Sequence, residues 1–271
     1  MIVNADDLGM THGVNRAIFK GYDDGCITHA SIMANGDSFD DAINGAIERE
    51  GLGIGLHLDI TYGKAIIEDS LYCDSDGYFK LEYKDLIFRK DSQFLLAVER
   101  EWDAQISLVL SSLPQDRILT HIDSHRHIHI IPHLYPIAVK LAKRYNIERV
   151  RLIKEDFIDS MRIARRFNFI LNKGIIKYTI LKLFTMLNLK QEDLYGDRRF
   201  YSILYTGVVD AEIIKRVIES KKRYEIMVHP GYPHLEKDTQ FYDEEDRDYR
   251  ISDNRMRELE AVLSIKRDDI K

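Results

Sequence analysis

Arg117-Ile118-Leu119-Thr120-His121-Ile122-Asp123-Ser124-His125-Arg126-His127-Ile128-His129 is the stretch on which the fold turns. Its opening is a short apolar lead-in that reads as the start of a buried strand. Residues 120 to 129 then hold four of the ten histidines, with an aspartate among them. If the segment is extended, residues 121, 123, 125, 127 and 129 share one face. Side chains two apart on a strand start roughly 7 Å from each other, whereas ligands of one ion sit about 2.0–2.2 Å from it. At most one or two of these groups can therefore bind one ion, and its other ligands must come from elsewhere. A helix would align His121, His125 and His129, but Pro132 and the weak helix formers around Ser124 oppose it.

Upstream, Ile2-Val3 leads into Asn4-Ala5-Asp6-Asp7-Leu8-Gly9. Adjacent carboxylates after a buried strand are unfavourable unless something positive compensates them. In a strand they would face opposite ways, which allows two roles. Residues 25–36 read as a second strand and turn, and 39–50 as a helix. Gly51-Leu52-Gly53-Ile54-Gly55-Leu56-His57-Leu58-Asp59 reads as a third strand, its glycines leaving room for another backbone. Residues 62–92 read as a long irregular excursion that includes the aromatics Tyr72, Tyr78, Phe79 and Tyr83. Leu95, Val98, Trp102, Ile106, Val109 and Leu113 recur at helical spacing.

Downstream, a helix is expected from Pro136 to Tyr145 and a strand at Arg149-Val150-Arg151-Leu152. Residues 156–194 alternate basic and apolar side chains, as an amphipathic helix on the protein's own core would; a lid or membrane-surface helix is the other reading. Lys222 to Val228 is a strand ending in His229-Pro230-Gly231-Tyr232. The acidic run Asp243-Glu244-Glu245-Asp246 reads as a solvated loop, and a closing helix turns Met256, Leu259, Val262 and Leu263 inward.

Strands alternating with helices specify a parallel α/β fold, in which sites gather at the carboxyl ends of the strands. Four strand ends carry Asp6/Asp7, His57, His121/His125 and His229, and that convergence is the main sign of a functional site. Composition narrows the partners. The 271 residues are 45% apolar with a net charge of -6 and a pI near 5.9. An acidic surface argues against nucleic acid as a partner. Two cysteines without CxxC spacing, no signal-like N-terminus and no long apolar run lead to the expectation of a cytoplasmic protein that does not span a membrane. One domain over 1–271 is expected, and a homodimer is left open.

The motifs Asn4-Ala5-Asp6-Asp7-Leu8-Gly9, Gly55-Leu56-His57-Leu58, Thr120 to His129 and Val228-His229-Pro230-Gly231-Tyr232 together resemble the YdjC-like carbohydrate deacetylases, which include the chitooligosaccharide deacetylases of chitobiose utilisation. The resemblance spans residues 2 to 232. It implies a distorted (β/α) barrel of the glycoside hydrolase/deacetylase type, one divalent metal ion, and removal of N-acetyl groups from small sugars. Carried over, it makes Asp7, His57 and His125 the metal ligands, Asp6 the general base and His229 the general acid. His121, Asp123 and His127 would then orient those groups or contact the sugar. The family is described with Mg2+, whereas two imidazoles favour Zn2+ on ligand softness. The competing readings are a non-catalytic sugar-binding protein and a metallohydrolase acting on another small substrate.

Overall fold

The computed structural model describes residues 1–165, 174–189, 198–236, 241–242 and 244–270. Six parallel strands form one curled sheet, a half-barrel surrounded by helices. The chain enters through β1 (Ile2–Leu8), α1 (His12–Asp23), β2 (His29–Ile32), α2 (Phe39–Ile47) and β3 (Gly53–Leu58). After the excursion come α3 (Tyr83–Phe88), α4 (Ser92–Ser112), β4 (Ile122–Ser124) and α5 (Tyr135–Arg144). The second half supplies α6 (Phe157–Ala164), α7 (Gly174–Asn188), β5 (Arg199–Tyr201), α8 (Ala211–Glu219), β6 (Tyr224–Val228), α9 (Glu244–Arg250) and α10 (Asp253–Leu263). Strand order is β4-β3-β2-β1-β6-β5, so the chain winds outward from β1 through β2, β3 and β4, then restarts at the far edge with β5 and returns beside β1 with β6.

The strand expected at Arg149 to Leu152 is an edge rather than a full strand. The Arg149 carbonyl accepts from Ile122 N–H, and Arg151 N–H donates to the Ile122 carbonyl, both at 2.8 Å. A few residues on, the Lys154 carbonyl accepts from Phe200 N–H of β5 at 3.3 Å. Segment 149–154 therefore bridges the two open edges, β4 and β5.

The period-2 alternation of the strands explains where the core sits. Val3, Ala5, Ala30, Ile32, Ile54, Leu56, Ile122, Ile226 and Val228 are buried in the apolar core. The alternate positions, Asn4, Asp6, Ser31, His57, Asp123 and Glu225, are equally buried but polar, and they bond to one another or to Arg151. Buried polar groups are tolerated only when partnered, so this face is a connected network. The β3 glycines serve it. A Cβ at Gly55 would meet the His121 ring at 2.2 Å and one at Gly53 the His29 ring at 2.4 Å, so they clear space for imidazoles rather than for a second backbone.

Segment 156–194 forms α6 and α7, with 166–173 and 190–194 outside the described residues. Leu181, Thr185 and Asn188 of α7 are buried, as an amphipathic helix requires. The acidic run is not a loop: residues 244–246 open α9, and Asp246 is buried against Arg250, its Oδ1 accepting from Nε at 2.6 Å. Asp243 lies outside the described residues. In α10, Leu259 and Val262 are buried, but Arg255 and Glu258 are buried beside them, for a reason the site supplies.

Glu155 ties the closing segment to β5. Its carboxylate accepts from Ser160 Oγ at 2.7 Å and Ile203 N–H at 2.6 Å. Burial pushes its pKa up to about 7 from 4.5. The folded state thus holds this proton more tightly than the unfolded chain. The stabilisation is complete below about pH 4.5 and is lost as pH rises through about 7, on the order of 3 kcal/mol in all. Urea unfolding at pH 5 and pH 8 should show that loss in the parent and a smaller one in Glu155→Gln. Equal losses in both would remove Glu155 as the cause.

Candidate active site

Asp6 and Asp7 do not simply point apart. Asp7 has a φ of +71°, and the β1–β2 register shifts between Ala5 and Leu8. Left-handed backbone is uncommon outside glycine, though Asp tolerates it better than most residues. The kink brings both carboxylates to one cavity of about 680 Å³. Asp7 Oδ1 lies 3.3 Å from His57 Nε2 and 3.3 Å from His125 Nδ1. All three residues are buried, and their ligand atoms lie within 4.8 Å of one another.

The histidine stretch reaches this point by a route that alternation does not describe. β4 ends at Ser124, and Arg126 and His127 are left-handed, with φ of 53° and 58°. The chain turns there into a short 3-10 segment, so the single face expected for 121 to 129 divides. His121 and Asp123 stay in the sheet network, and His125 turns to Asp7. His127 lines the cavity on the side of Lys177 and Phe200, while His129 folds back so that its ring shares a 2.5 Å hydrogen bond with Ser124 Oγ. Burial, Lys177 and Arg151 hold His127 well below the usual imidazole range, so it stays neutral. Burial, with Arg149 nearby, lowers His121 as well.

Asp123 orients His57: its Oδ1 is 2.7 Å from Nδ1, which leaves Nε2 directed at Asp7. Burial alone would lower the His57 pKa, but Asp123 and Asp7 outweigh it and push it up to about 10. Burial likewise opposes the charge on Asp7, yet His125, His57 and Arg255 hold its carboxyl well below the usual range.

Four residues that sequence reasoning passed over complete the site. Arg151 makes a two-pronged pair with Asp6 at 2.7 and 2.9 Å, and also reaches Asp123 at 2.6 Å and Glu225 at 2.7 Å. Tyr249 and Arg255 both donate to Asp7 Oδ2, at 2.6 and 2.8 Å. Glu258 accepts from His229 N–H at 2.6 Å and lies 3.8 Å from its Nδ1. The signal for Arg151 was in the chain: a charged side chain inside an apolar strand needs partners. Tyr249, Arg255 and Glu258 follow the last motif and carry no comparable mark.

One carboxylate and two imidazoles suit a divalent ion while leaving positions for water and substrate. A second carboxylate–histidine group, Asp6, His57 and Asp123, is also compact enough to hold an ion. There the Arg151 guanidinium already bonds both aspartates and occupies a cation's place. The arrangement fits one ion, not two.

Fold and cluster define a parallel α/β half-barrel protein with a buried Asp–His–His group able to hold a metal ion at its strand ends. The chain belongs to the YdjC-like protein family, which matches residues 1–268. It is 36% identical over 148 residues to a carbohydrate deacetylase of Brevibacillus brevis, a match of 54% of this chain and 57% of that protein. The match to a Listeria monocytogenes carbohydrate deacetylase is 28% over 237 residues, 86% of this chain and 81% of the relative. The chain thus spans less than two thirds of the first relative's length. A solved Enterococcus faecalis structure, described as a cellobiose-phosphate cleavage protein, superposes with a TM-score of 0.68 at 23% identity, covering 99% of this chain and 92% of that one. Among the described residues no helix is long and apolar enough to cross a membrane.

Proposed function

We propose that this protein is a metal-dependent hydrolase that removes N-acetyl groups from acetylated carbohydrates such as chitooligosaccharides. The observation that carries the reading is the Asp7–His57–His125 cluster opening on the same cavity as Asp6 and His229. The names of the related proteins supply the substrate class.

An amide is a poor electrophile and neutral water a poor nucleophile. Asp7, His57 and His125 would hold the ion, Zn2+ on donor softness or Mg2+ by resemblance, which polarises the carbonyl and makes water more acidic. Arg151 and Asn4 fix the Asp6 carboxylate, which lines the cavity and would take the proton from the attacking water. Water adds to the carbonyl carbon and the C–N bond breaks. His229 delivers a proton to the departing amine, and Glu258 lies 3.8 Å from its Nδ1. Acetate and the free amino sugar leave.

Acetate release from N-acetylated chitooligosaccharides, with and without chelator and after metal add-back, tests the whole reading. No release under any metal would end it. Asp6→Asn tests the base. It should lower turnover by about 10² to 10⁴-fold with metal affinity nearly unchanged. Full turnover by this variant at saturating metal would transfer the role elsewhere.

A further inference from the structure

The cavity has a wall that the hydrolytic chemistry does not use. Tyr62, Tyr242 and Tyr78 step away from His125, with ring centroids 5.7, 4.8 and 5.5 Å apart in turn. All three line the cavity; Tyr62 is buried, and Tyr78 and Tyr242 are partly exposed to it. They come from distant segments, the 62–92 excursion and the approach to α9, and neither segment needs the other for the metal cluster.

Each ring is fixed in place. The Tyr242 hydroxyl donates to Asp37 Oδ1 at 2.6 Å, and the Arg250 guanidinium lies 5.5 Å from its centroid. The same guanidinium sits 5.1 Å from the Tyr62 ring, and the Lys64 ammonium 5.0 Å from the Tyr78 ring. Rings held this way lose little conformational entropy when a ligand packs on them. A pyranose offers such rings a face of C–H groups and a rim of hydroxyls. Thr61, Asp74 and Glu245 line the same cavity and could bond that rim.

We propose that Tyr78 and Tyr242 form a subsite for the second sugar of an oligosaccharide whose acetylated sugar lies at Asp7, His57 and His125. The proposal rests on the carbohydrate reading above and adds chain-length selectivity to it. The acetylated sugar engages the reacting end, and the next ring packs against the two tyrosines, so a disaccharide is preferred to a monosaccharide.

The test is calorimetric titration of chelator-treated protein with N-acetylglucosamine and with N,N′-diacetylchitobiose. The parent should bind the disaccharide about tenfold more tightly, and Tyr78→Ala and Tyr242→Ala should each reduce that ratio about threefold or more. Monosaccharide affinity should hold within about twofold in both variants, which shows that they remain folded. Tyr242→Phe keeps the ring and drops only the bond to Asp37, and should keep the preference. Equal affinities in the parent, a parent-like ratio in both alanine variants, or no binding of either sugar would overturn the subsite. Preferential disaccharide binding without acetate release would leave the subsite standing and remove the deacetylase reading. Acetate release with no disaccharide preference would do the reverse.

Discussion

His57→Ala and His125→Ala are each expected to weaken divalent-metal binding at least about tenfold and to lower turnover by about 10³-fold or more. The expected loss is large because, on the proposed mechanism, one ion would serve both the carbonyl and the water, and each imidazole would be one of three protein ligands. Folding should survive in both cases. In His57→Ala, Asp123 keeps Ser31 and Arg151 as partners; in His125→Ala, Asp7 keeps Tyr249 and Arg255. Metal content and affinity should be measured beside circular dichroism. If both variants bind metal as tightly as the parent, the ligand assignment is wrong.

Arg151→Met should have the largest effect on stability, a loss of about 3–5 kcal/mol. Methionine fills much of the same volume, so packing is not the main loss. What remains is Asp6, Asp123 and Glu225, three buried carboxylates deprived of the cation that joins them. Arg149 still pairs with Glu225 and His57 with Asp123, but among the described residues Asp6 keeps only Asn4 as a bonded donor. The loss should shrink in acid, where protonation relieves the stranded charges. A cost under about 1 kcal/mol at pH 7 would show that the network does not depend on this arginine.

The sheet was legible because its two faces are written in alternate residues. Val3 and Ala5 mark the apolar face of β1, and Asn4 and Asp6 the polar one. Strand ends could therefore be placed, and with them Asp7, His57, His125 and His229. The alternation failed where the backbone stops being extended. Nothing in Ser124-His125-Arg126-His127 announces two consecutive left-handed residues, and without them His127 and His129 seem equivalent to His125. Arg151 was visible as a residue but not as a hub, since its partners lie 145, 28 and 74 positions away. Asp246 was misread for the same reason that solvated acidic runs are common: its burial depends on Arg250, one helical turn on, and on Tyr62 from the far excursion.

Asp7 and Tyr249 are separated by 242 positions, yet their side chains share a hydrogen bond. That separation gives the site a timetable. A ribosome releases both aspartates and His57 before His125. Arg255 follows His125 by 130 positions, roughly 6–26 s later at about 5–20 residues per second. Until α9 and α10 have emerged, Asp7 lacks both donors to its outer oxygen. Contacts of such long sequence separation are also the slowest to form. The histidine cluster thus emerges before the helices that complete it, and the finished centre waits on contacts that span 242 and 248 positions.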